Sequence, residues 1–198
     1  KAEIVFIVLD RPNPVNGDAV EGPVLEDGLR NFMAYLPVPV RHGLTMGELA
    51  RLHSLTAGLG ARLTIVPLKG WRRSMWYDQT GLPWTRPSPN MPDLDAATLY
   101  PGIACFEATN VSVGRGTERP FRWVGAPWMD AAAVVKRLKS ADLPGVEFSV
   151  EKATPTKSLY EGVVTNGVRM RITDREAYVM AILAFAAARA RSASATSG

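Results

Sequence analysis

The chain has 198 residues, of which 46% are hydrophobic and 21% charged, so it can bury a core in one domain and part of a second. Its formal net charge is +4, but lysine and arginine are scattered along the sequence, which disfavours a nucleic-acid interface and remains compatible with an acidic small ligand or an anionic polymer. The single cysteine, Cys105, excludes an intrachain disulfide, no Cys/His spacing predicts a zinc site, and no apolar run approaches the roughly 18 residues of a membrane span.

The chain opens with KAEIVFIVLD, in which residues 4–9 are continuously apolar. Such a run predicts a strand that is buried on both faces of a sheet. Because a domain rarely begins with its most buried strand, we expect the sequence to start partway through a larger protein. A turn-rich loop follows the strand, and ligands of open α/β sheets lie beyond such strand ends. Asp10, Arg11 and Asn13 are therefore candidate ligand contacts.

The next elements form a helix and a strand. Thr45 and Glu48 have the spacing of a capping box, which predicts a helix over residues 46–57 that ends at Gly58 or Gly60. RLTIVPLKGW then predicts a second strand, so that strand, helix and strand make a right-handed crossover unit. His42 lies just before the helix, where it is an acid/base, a sugar contact or a hydrogen-bonded structural residue.

Residues 71–102 are rich in proline and tryptophan and almost without periodicity. An irregular stretch of this length inside a domain is usually functional or disordered, and its aromatic content argues against disorder. Trp71 belongs either to the core or to a surface on which a sugar ring stacks. Asn90, in PSPN, either forms a turn or presents its amide to a hydroxyl-rich ligand.

The segment CFEATNVSVGRGTERPF, residues 105–121, is a dense polar loop. We expect a strand over residues 103–107 to lead into it, which would place Glu107 on the same face as Ile103 and Cys105. A carboxylate on an apolar face has a raised pKa, as a general acid requires. In the alternative, Glu107 pairs with a nearby arginine and holds the loop together.

The Gly-Arg-Gly within this segment lacks the lysine and the length of a phosphate-binding loop. Its glycines instead predict backbone with positive φ or a close approach to another group. Arg115, between the two glycines, is free to reach a carboxylate.

The remaining sequence predicts two helices and two strands. Asp130 caps a helix over residues 131–143, and Asp174 caps a helix over residues 175–191. GVEFSVEKATP and YEGVVTNGVRMRITD read as strands, with Asn166-Gly167 as a hairpin turn. Together the patterns predict an α/β scaffold with a polar, aromatic, arginine-bearing cleft, which suits a carbohydrate with a negative charge but names no reaction.

Six segments stand in one order: LDRPNPVNGDAVEGP, PVRHGLTMGELA, GWRRSMWYDQTGLPWTRPSPNMP, YPG, FEATNVSVGRGTERPF and GAPWMD. In this order they resemble the NamZ-type exo-β-N-acetylmuramidases, a bacterial glycoside hydrolase family long regarded as a domain of unknown function. The resemblance covers roughly residues 3–175. It implies an enzyme that releases N-acetylmuramic acid from the non-reducing end of peptidoglycan fragments during cell wall recycling.

The resemblance also implies a fold of class α/β plus α+β. Residues 1–45 would be the end of a truncated Rossmann-like domain, and residues 46–198 a mixed α+β C-terminal domain, with the substrate cleft between the two. Family members are about twice this length, need no metal or nucleotide cofactor and are often exported. We therefore expect the missing N-terminal half as a separate fragment, a muramyl sugar as ligand, and a periplasmic or extracellular location in a bacterium.

Family motifs carry the site assignment residue by residue. Glycosidases commonly use two carboxyl groups, and Glu107 is the expected one in this chain, because the family's leading candidate for the catalytic acid lies upstream of Lys1. The expected substrate contacts are Asp10, Arg11, Asn13, His42, Trp71, Asn90, Thr109, Asn110, Ser112, Arg115 and Thr117. The alternative function is a carbohydrate-binding or structural fragment without catalysis.

Overall fold

The computed structural model describes residues 4–32 and 34–180. The chain is mixed α/β and divides into two compact units, one up to Trp84 and one from Thr85 onwards. The described elements are β1 (Val5–Leu9), β2 (Glu21–Val24), β3 (Pro39–Arg41), α1 (Met46–Thr56), β4 (Arg62–Val66), α2 (Leu94–Ile103), β5 (Trp123–Ala126), α3 (Ala131–Ser140), β6 (Val146–Ala153) and β7 (Thr165–Ile172). Short 3₁₀ helices span Asp27–Leu29, Tyr77–Thr80 and Ala104–Ala108. The domain boundary that the sequence predicts, after residue 45, falls inside the first unit.

The first unit contains a parallel strand pair. β1 runs parallel to β4 in a register from Val5 opposite Arg62 to Leu9 opposite Val66, and α1 connects the two strands. The predicted capping box is present: Thr45 Oγ1 accepts from the Glu48 amide, and the Glu48 carboxylate accepts from the Thr45 amide. The predicted strand, helix and strand are therefore confirmed, with their strands parallel.

Strand β1 is not buried on both faces as the sequence predicts. Phe6 and Ile7, which point to opposite faces, are 59% and 60% exposed. The physical reason is that, among the described residues, β1 and β4 make a sheet of two strands, so that each β1 side chain has neighbours within the sheet on one side only. The apolar run thus forms the predicted strand, but in a different environment.

The second unit is built on an antiparallel sheet with the order β5-β7-β6. Helix α3 packs against β6 and β7. The residues buried in this unit include Val135, Leu138, Val146, Phe148, Val168 and Met170. The opposite face of β6 and β7 carries charged side chains, such as the Glu147–Arg171 ion pair at 2.6 Å.

The predicted hairpin turn at Asn166-Gly167 is wrong. Both residues lie inside β7, where Gly167 pairs with Gly125 on one side and with Glu151 on the other. The indole of Trp123 lies so close to this strand that a Cβ at Gly167 would overlap it. Gly167 is therefore explained by packing beneath a buried ring rather than by a turn.

The predicted strand over residues 103–107 is also wrong. Helix α2 ends at Ile103, and a 3₁₀ helix continues over Ala104–Ala108. The side chain of Asp93 caps α2 by accepting from the Ala96 amide at 2.9 Å. This local cap, followed by a run of buried small and apolar residues, forms a helix where the sequence predicts an irregular stretch.

Two further aspartates were expected to begin helices. Asp130 caps α3 by accepting from the Ala133 amide at 3.0 Å, as predicted, and α3 ends at Ser140. Asp174 Oδ1 accepts from the amides of Glu176 and Ala177, which form a turn. Most of the helix predicted for residues 175–191 lies outside the described residues. No helix of the described part of the chain is long and apolar enough to cross a membrane.

Candidate functional site

The loop of residues 105–121 folds on two glycines. Gly114 and Gly116 both have φ of 82°, which confirms the predicted left-handed backbone. A Cβ at Gly114 would lie 2.6 Å from the carbonyl oxygen of Arg119, and one at Gly116 would overlap the carbonyl oxygen of Lys157. These glycines therefore allow close approach of the chain, both within the loop and from a distant segment.

Three hydroxyl groups of the loop are used to shape it. Thr117 Oγ1 donates to the Gly114 carbonyl at 2.7 Å, and the buried Ser112 Oγ accepts from the Gly114 amide at 3.3 Å. Thr109 Oγ1 donates to the carbonyl of Phe106 at 2.7 Å. The predicted contacts Thr109, Ser112 and Thr117 thus orient the loop in this structure.

Glu107 and Arg115 form an ion pair within the loop. Arg115 Nε donates to Glu107 Oε1 at 2.5 Å, and both side chains are about one third exposed (34% and 33%). The guanidinium also lies over the ring of Phe121, 5.3 Å from its centroid. Glu107 therefore does not lie on the apolar strand face that the sequence predicts, and the alternative, a pair with a nearby arginine, is confirmed. Its catalytic role stays a prediction.

A groove of about 570 Å³ opens beside this loop. One wall comes from the loop itself, residues 116–120, and a second wall comes from the end of β6 and the segment that follows it, residues 151–157. Pro89 and Asn90 complete the lining. The groove therefore brings together two predicted contacts, Asn90 and Thr117, whereas Glu107, Thr109, Asn110, Ser112 and Arg115 are not part of its lining.

Most charged residues of the groove were not predicted from the sequence as site residues. Arg119 Nε donates to Glu151 Oε1 at 2.8 Å, and Glu151 Oε2 lies 3.6 Å from Arg169. Lys152 and Lys157 also line the groove. Arg119 could have been found from its place beside the Gly-Arg-Gly, but no local signal marks residues 151–157, which are distant in sequence from the loop.

Strained backbone directly follows both groove walls in the sequence. Phe121, Ser158 and Tyr160 have φ of 60°, 74° and 64°, although none of them is glycine. Each such residue costs on the order of 1–3 kcal/mol and persists where surrounding contacts hold it, often at functional sites. One of these contacts is the hydroxyl of Tyr160, which donates to the Asn110 carbonyl at 2.7 Å.

The predicted contacts after β1 mainly hold the first unit together. The Asp10 carboxylate accepts from the Gly47 amide at 2.7 Å and from Thr45 Oγ1 at 3.0 Å, so it lies at the start of α1. Asn13 is buried, and its amide group donates to the Leu44 carbonyl at 3.1 Å. Arg11 is exposed.

His42 and Trp71, also in the first unit, have contrasting surroundings. The Leu44 amide donates to His42 Nδ1 at 3.0 Å, and burial lowers the pKa of the imidazole. Of the three roles that the sequence allows for His42, this environment matches that of a hydrogen-bonded structural residue. The Trp71 Nε1–H is buried and has no hydrogen-bond partner among the described residues, and the Arg73 guanidinium lies 6.0 Å from its ring centroid.

The described residues contain no group of three or more His, Cys, Asp or Glu side chains that would hold a metal ion. The groove of the second unit is lined by residues with hydroxyl, amide, ammonium, guanidinium and carboxylate groups. Such a lining suits a polar ligand that carries hydroxyl groups and charge.

Two family models match the chain consecutively. "Exo-beta-N-acetylmuramidase NamZ, N-terminal" matches residues 1–95, and "Exo-beta-N-acetylmuramidase NamZ, C-terminal" matches residues 98–195. The peptidoglycan beta-N-acetylmuramidase NamZ of Bacillus subtilis (strain 168) is 43% identical over 175 residues, which are 88% of this chain and 42% of that protein. The chain thus spans less than half the length of this curated relative.

Two solved structures are also similar, both described as DUF1343 family proteins from Bacteroides fragilis NCTC 9343. The first is 36% identical with a TM-score of 0.84, and the match covers 90% of this chain and 48% of that one. The second is 30% identical with a TM-score of 0.69, and the match covers 87% and 46%.

Proposed function

Since the chain belongs to the NamZ exo-β-N-acetylmuramidase family, we propose that it is part of a glycoside hydrolase acting on peptidoglycan fragments. The reaction is the release of N-acetylmuramic acid from their non-reducing end, and this chain supplies part of the substrate site. The observation that carries the proposal is the polar loop of residues 105–121, a family motif that folds on Gly114 and Gly116 to form one wall of the groove.

Within this proposal, Glu107 is one of the two carboxyl groups that glycosidases commonly place around the scissile bond. It is partly exposed and therefore accessible to substrate, and Arg115 holds its carboxylate in one position. Asn90 and Thr117 contact the sugar from the groove, while Ser112 and Thr109 fix the loop. In the first unit, Arg11 and Trp71 remain proposed contacts: Arg11 is exposed, and Trp71 would offer its ring face rather than its buried Nε1–H.

The proposal extends to the setting of the chain. The parallel pair β1 and β4 with the connecting helix α1 supports a Rossmann-like first unit. The exposed apolar faces of β1 support a partner polypeptide that extends this sheet, and the part of the curated relative outside the match is the segment that we propose for it. A periplasmic or extracellular location belongs to the same proposal, because peptidoglycan lies there.

One observation favours the second candidate, a carbohydrate-binding or structural role without catalysis. The Glu107 carboxylate is already paired with Arg115, and such a pair equally serves to hold the loop. The two candidates differ in whether the chain hydrolyses a muramyl glycoside or merely binds it.

The test is hydrolysis of a chromogenic β-N-acetylmuramic acid glycoside by this chain combined with the partner polypeptide proposed above, with the corresponding N-acetylglucosaminide as a substrate control. Glu107→Gln is expected to lower kcat about 100-fold or more, as loss of a general acid or base does. Glu147→Gln is the matched control, because Glu147 also pairs with an arginine, Arg171, but lies on an exposed sheet face outside the loop of residues 105–121.

Equal activity of Glu107→Gln, Arg115→Ala and wild type would show that the catalytic assignment of this loop is wrong. Binding of the glycoside without any turnover by the wild-type chain and its partner polypeptide together would instead favour the second candidate.

A further inference from the structure

The groove in the second unit is lined by both paired and unpaired cationic residues, as far as the described residues show. Arg119 and Arg169 both pair with Glu151, at 2.8 and 3.6 Å. Lys152 and Lys157 line the same groove, and neither ammonium group forms an ion pair within residues 4–32 and 34–180. Arg115, by contrast, is committed to Glu107 and to the ring of Phe121.

Lys157 is held at the groove by specific backbone contacts. The carbonyl of Gly116 accepts from both the amide and the Oγ1 of Thr156, at 2.8 and 2.9 Å. The missing side chain of Gly116 leaves room for the backbone of Lys157 directly beside it. The strained residue Ser158 follows at once. The structure therefore fixes where this lysine leaves the backbone, although its ammonium group has no ion-pair partner in the described part of the chain.

The remaining charges of the lining leave an excess of positive charge. Apart from the Arg119–Glu151 pair, the groove has two lysines and one carboxylate, Glu118, so one positive charge is left over. The ammonium group of a lysine is a point charge, and it attracts a carboxylate more strongly than it attracts a neutral hydroxyl group. Asn90, Thr117 and Thr154 supply hydroxyl and amide groups for the rest of such a ligand.

We propose that Lys152 and Lys157 form a carboxylate subsite, which receives the lactyl carboxylate of a muramyl ligand. This proposal rests on the proposed function for the identity of the ligand, and it assigns recognition of the acid to these lysines rather than to Arg115. Glu118 opposes the subsite electrostatically and thereby limits its affinity for anions.

The experiment compares binding of N-acetylmuramic acid and N-acetylglucosamine, which share the amino sugar ring but differ in the lactyl carboxylate, by titration calorimetry on the whole chain. The wild type is expected to prefer the acid, and Lys152→Met or Lys157→Met to lower that preference about tenfold, as loss of one charged hydrogen bond does. Affinity for N-acetylglucosamine should stay unchanged. Lys136→Met, an exposed lysine of α3 outside the groove, is the matched control.

Glu118→Gln gives a prediction of the opposite sign. Removal of this carboxylate should raise the preference for N-acetylmuramic acid by about threefold, and salt at about 1 M should weaken the preference in every variant that retains it. This variant keeps the test independent of any folding defect, because a damaged groove does not gain affinity.

The binding measurements can overturn the proposed carboxylate subsite in three ways. Equal binding of both sugars, binding of neither, or a preference that depends on Arg115→Ala and not on the lysine variants would overturn it. Hydrolysis of the chromogenic muramide without a lysine-dependent preference overturns the subsite alone, whereas the preference without hydrolysis overturns the proposed catalysis alone.

Discussion

The environment of Glu107 in the structure differs from the one that the sequence predicts. Its expected place on an apolar strand face would leave a lone carboxylate on an apolar surface, whereas the 3₁₀ helix places it next to Arg115. Partly exposed ion pairs are usually worth about 0–1 kcal/mol, so this pair alone is a weak determinant of stability. Its value for function would be geometric, because the pair fixes a carboxylate within the loop.

His42 is a residue at which pH should act on stability. Burial lowers its pKa from the ordinary value of 6.5, and Nδ1 must stay unprotonated to accept from the Leu44 amide. A lowered pKa means that the fold favours the neutral ring. This stabilisation is present above pH 6.5 and is lost as the pH falls from there through the lowered pKa.

The matched variant is His42→Asn, which retains an acceptor but does not titrate. We expect the wild type to lose stability relative to this variant below pH 6.5, measured as the denaturant midpoint against pH. If the two stability profiles run parallel through the acidic range, His42 is not the group that responds.

At the scale of elements, helix starts are local events. α1 begins at a capping box and α3 at a capping aspartate, and each cap is worth about 0.5–2 kcal/mol. Their residues are three positions apart, so the sequence alone predicts them. Asp93 caps α2 in the same way, but the surrounding prolines and tryptophans obscured this signal.

Strand β7 depends instead on packing across the sheet. Gly167→Ala is expected to destabilise the fold by about 3 kcal/mol, because its new methyl group would overlap the buried indole of Trp123. The measurement is the free energy of unfolding in denaturant. Gly28→Ala is the control, since no heavy atom lies within 4 Å of its Cβ position, and its effect should stay within about 0.5 kcal/mol. Equal effects of the two substitutions would contradict the packing explanation.

At the scale of the whole molecule, the exposed apolar strand β1 has consequences for association. Its side chains are exposed on both faces, and strands with free edges pair readily with other chains. We therefore expect the 198-residue chain to self-associate at high concentration unless another polypeptide covers this strand.

Phe6→Lys should reduce this association by placing a charge on β1. The control Phe32→Lys changes a more exposed phenylalanine, 97% exposed, outside any strand and should have a smaller effect. Sedimentation velocity over a range of concentrations measures both. A chain that remains monomeric at every concentration, or equal effects of both substitutions, would refute a role for β1.

Several features that depend only on neighbouring residues could be predicted from the sequence. The capping box at Thr45, the cap at Asp130 and the left-handed glycines Gly114 and Gly116 are all local, and each is present. The order of the motifs also identified the family, because six segments in one order are more specific than any single residue.

Contacts between distant segments, in contrast, could be identified only from the folded structure. Lys157 lies beside Gly116 because Thr156, 40 residues away along the chain, hydrogen-bonds to that glycine's carbonyl. Gly167 lies beneath Trp123 because β5 and β7 pair, although its dipeptide resembles a turn. Such contacts depend on the free energy of packing between distant segments, which local propensity does not encode. For that reason the loop of the candidate site was predictable from the sequence, and the opposite wall of its groove was not.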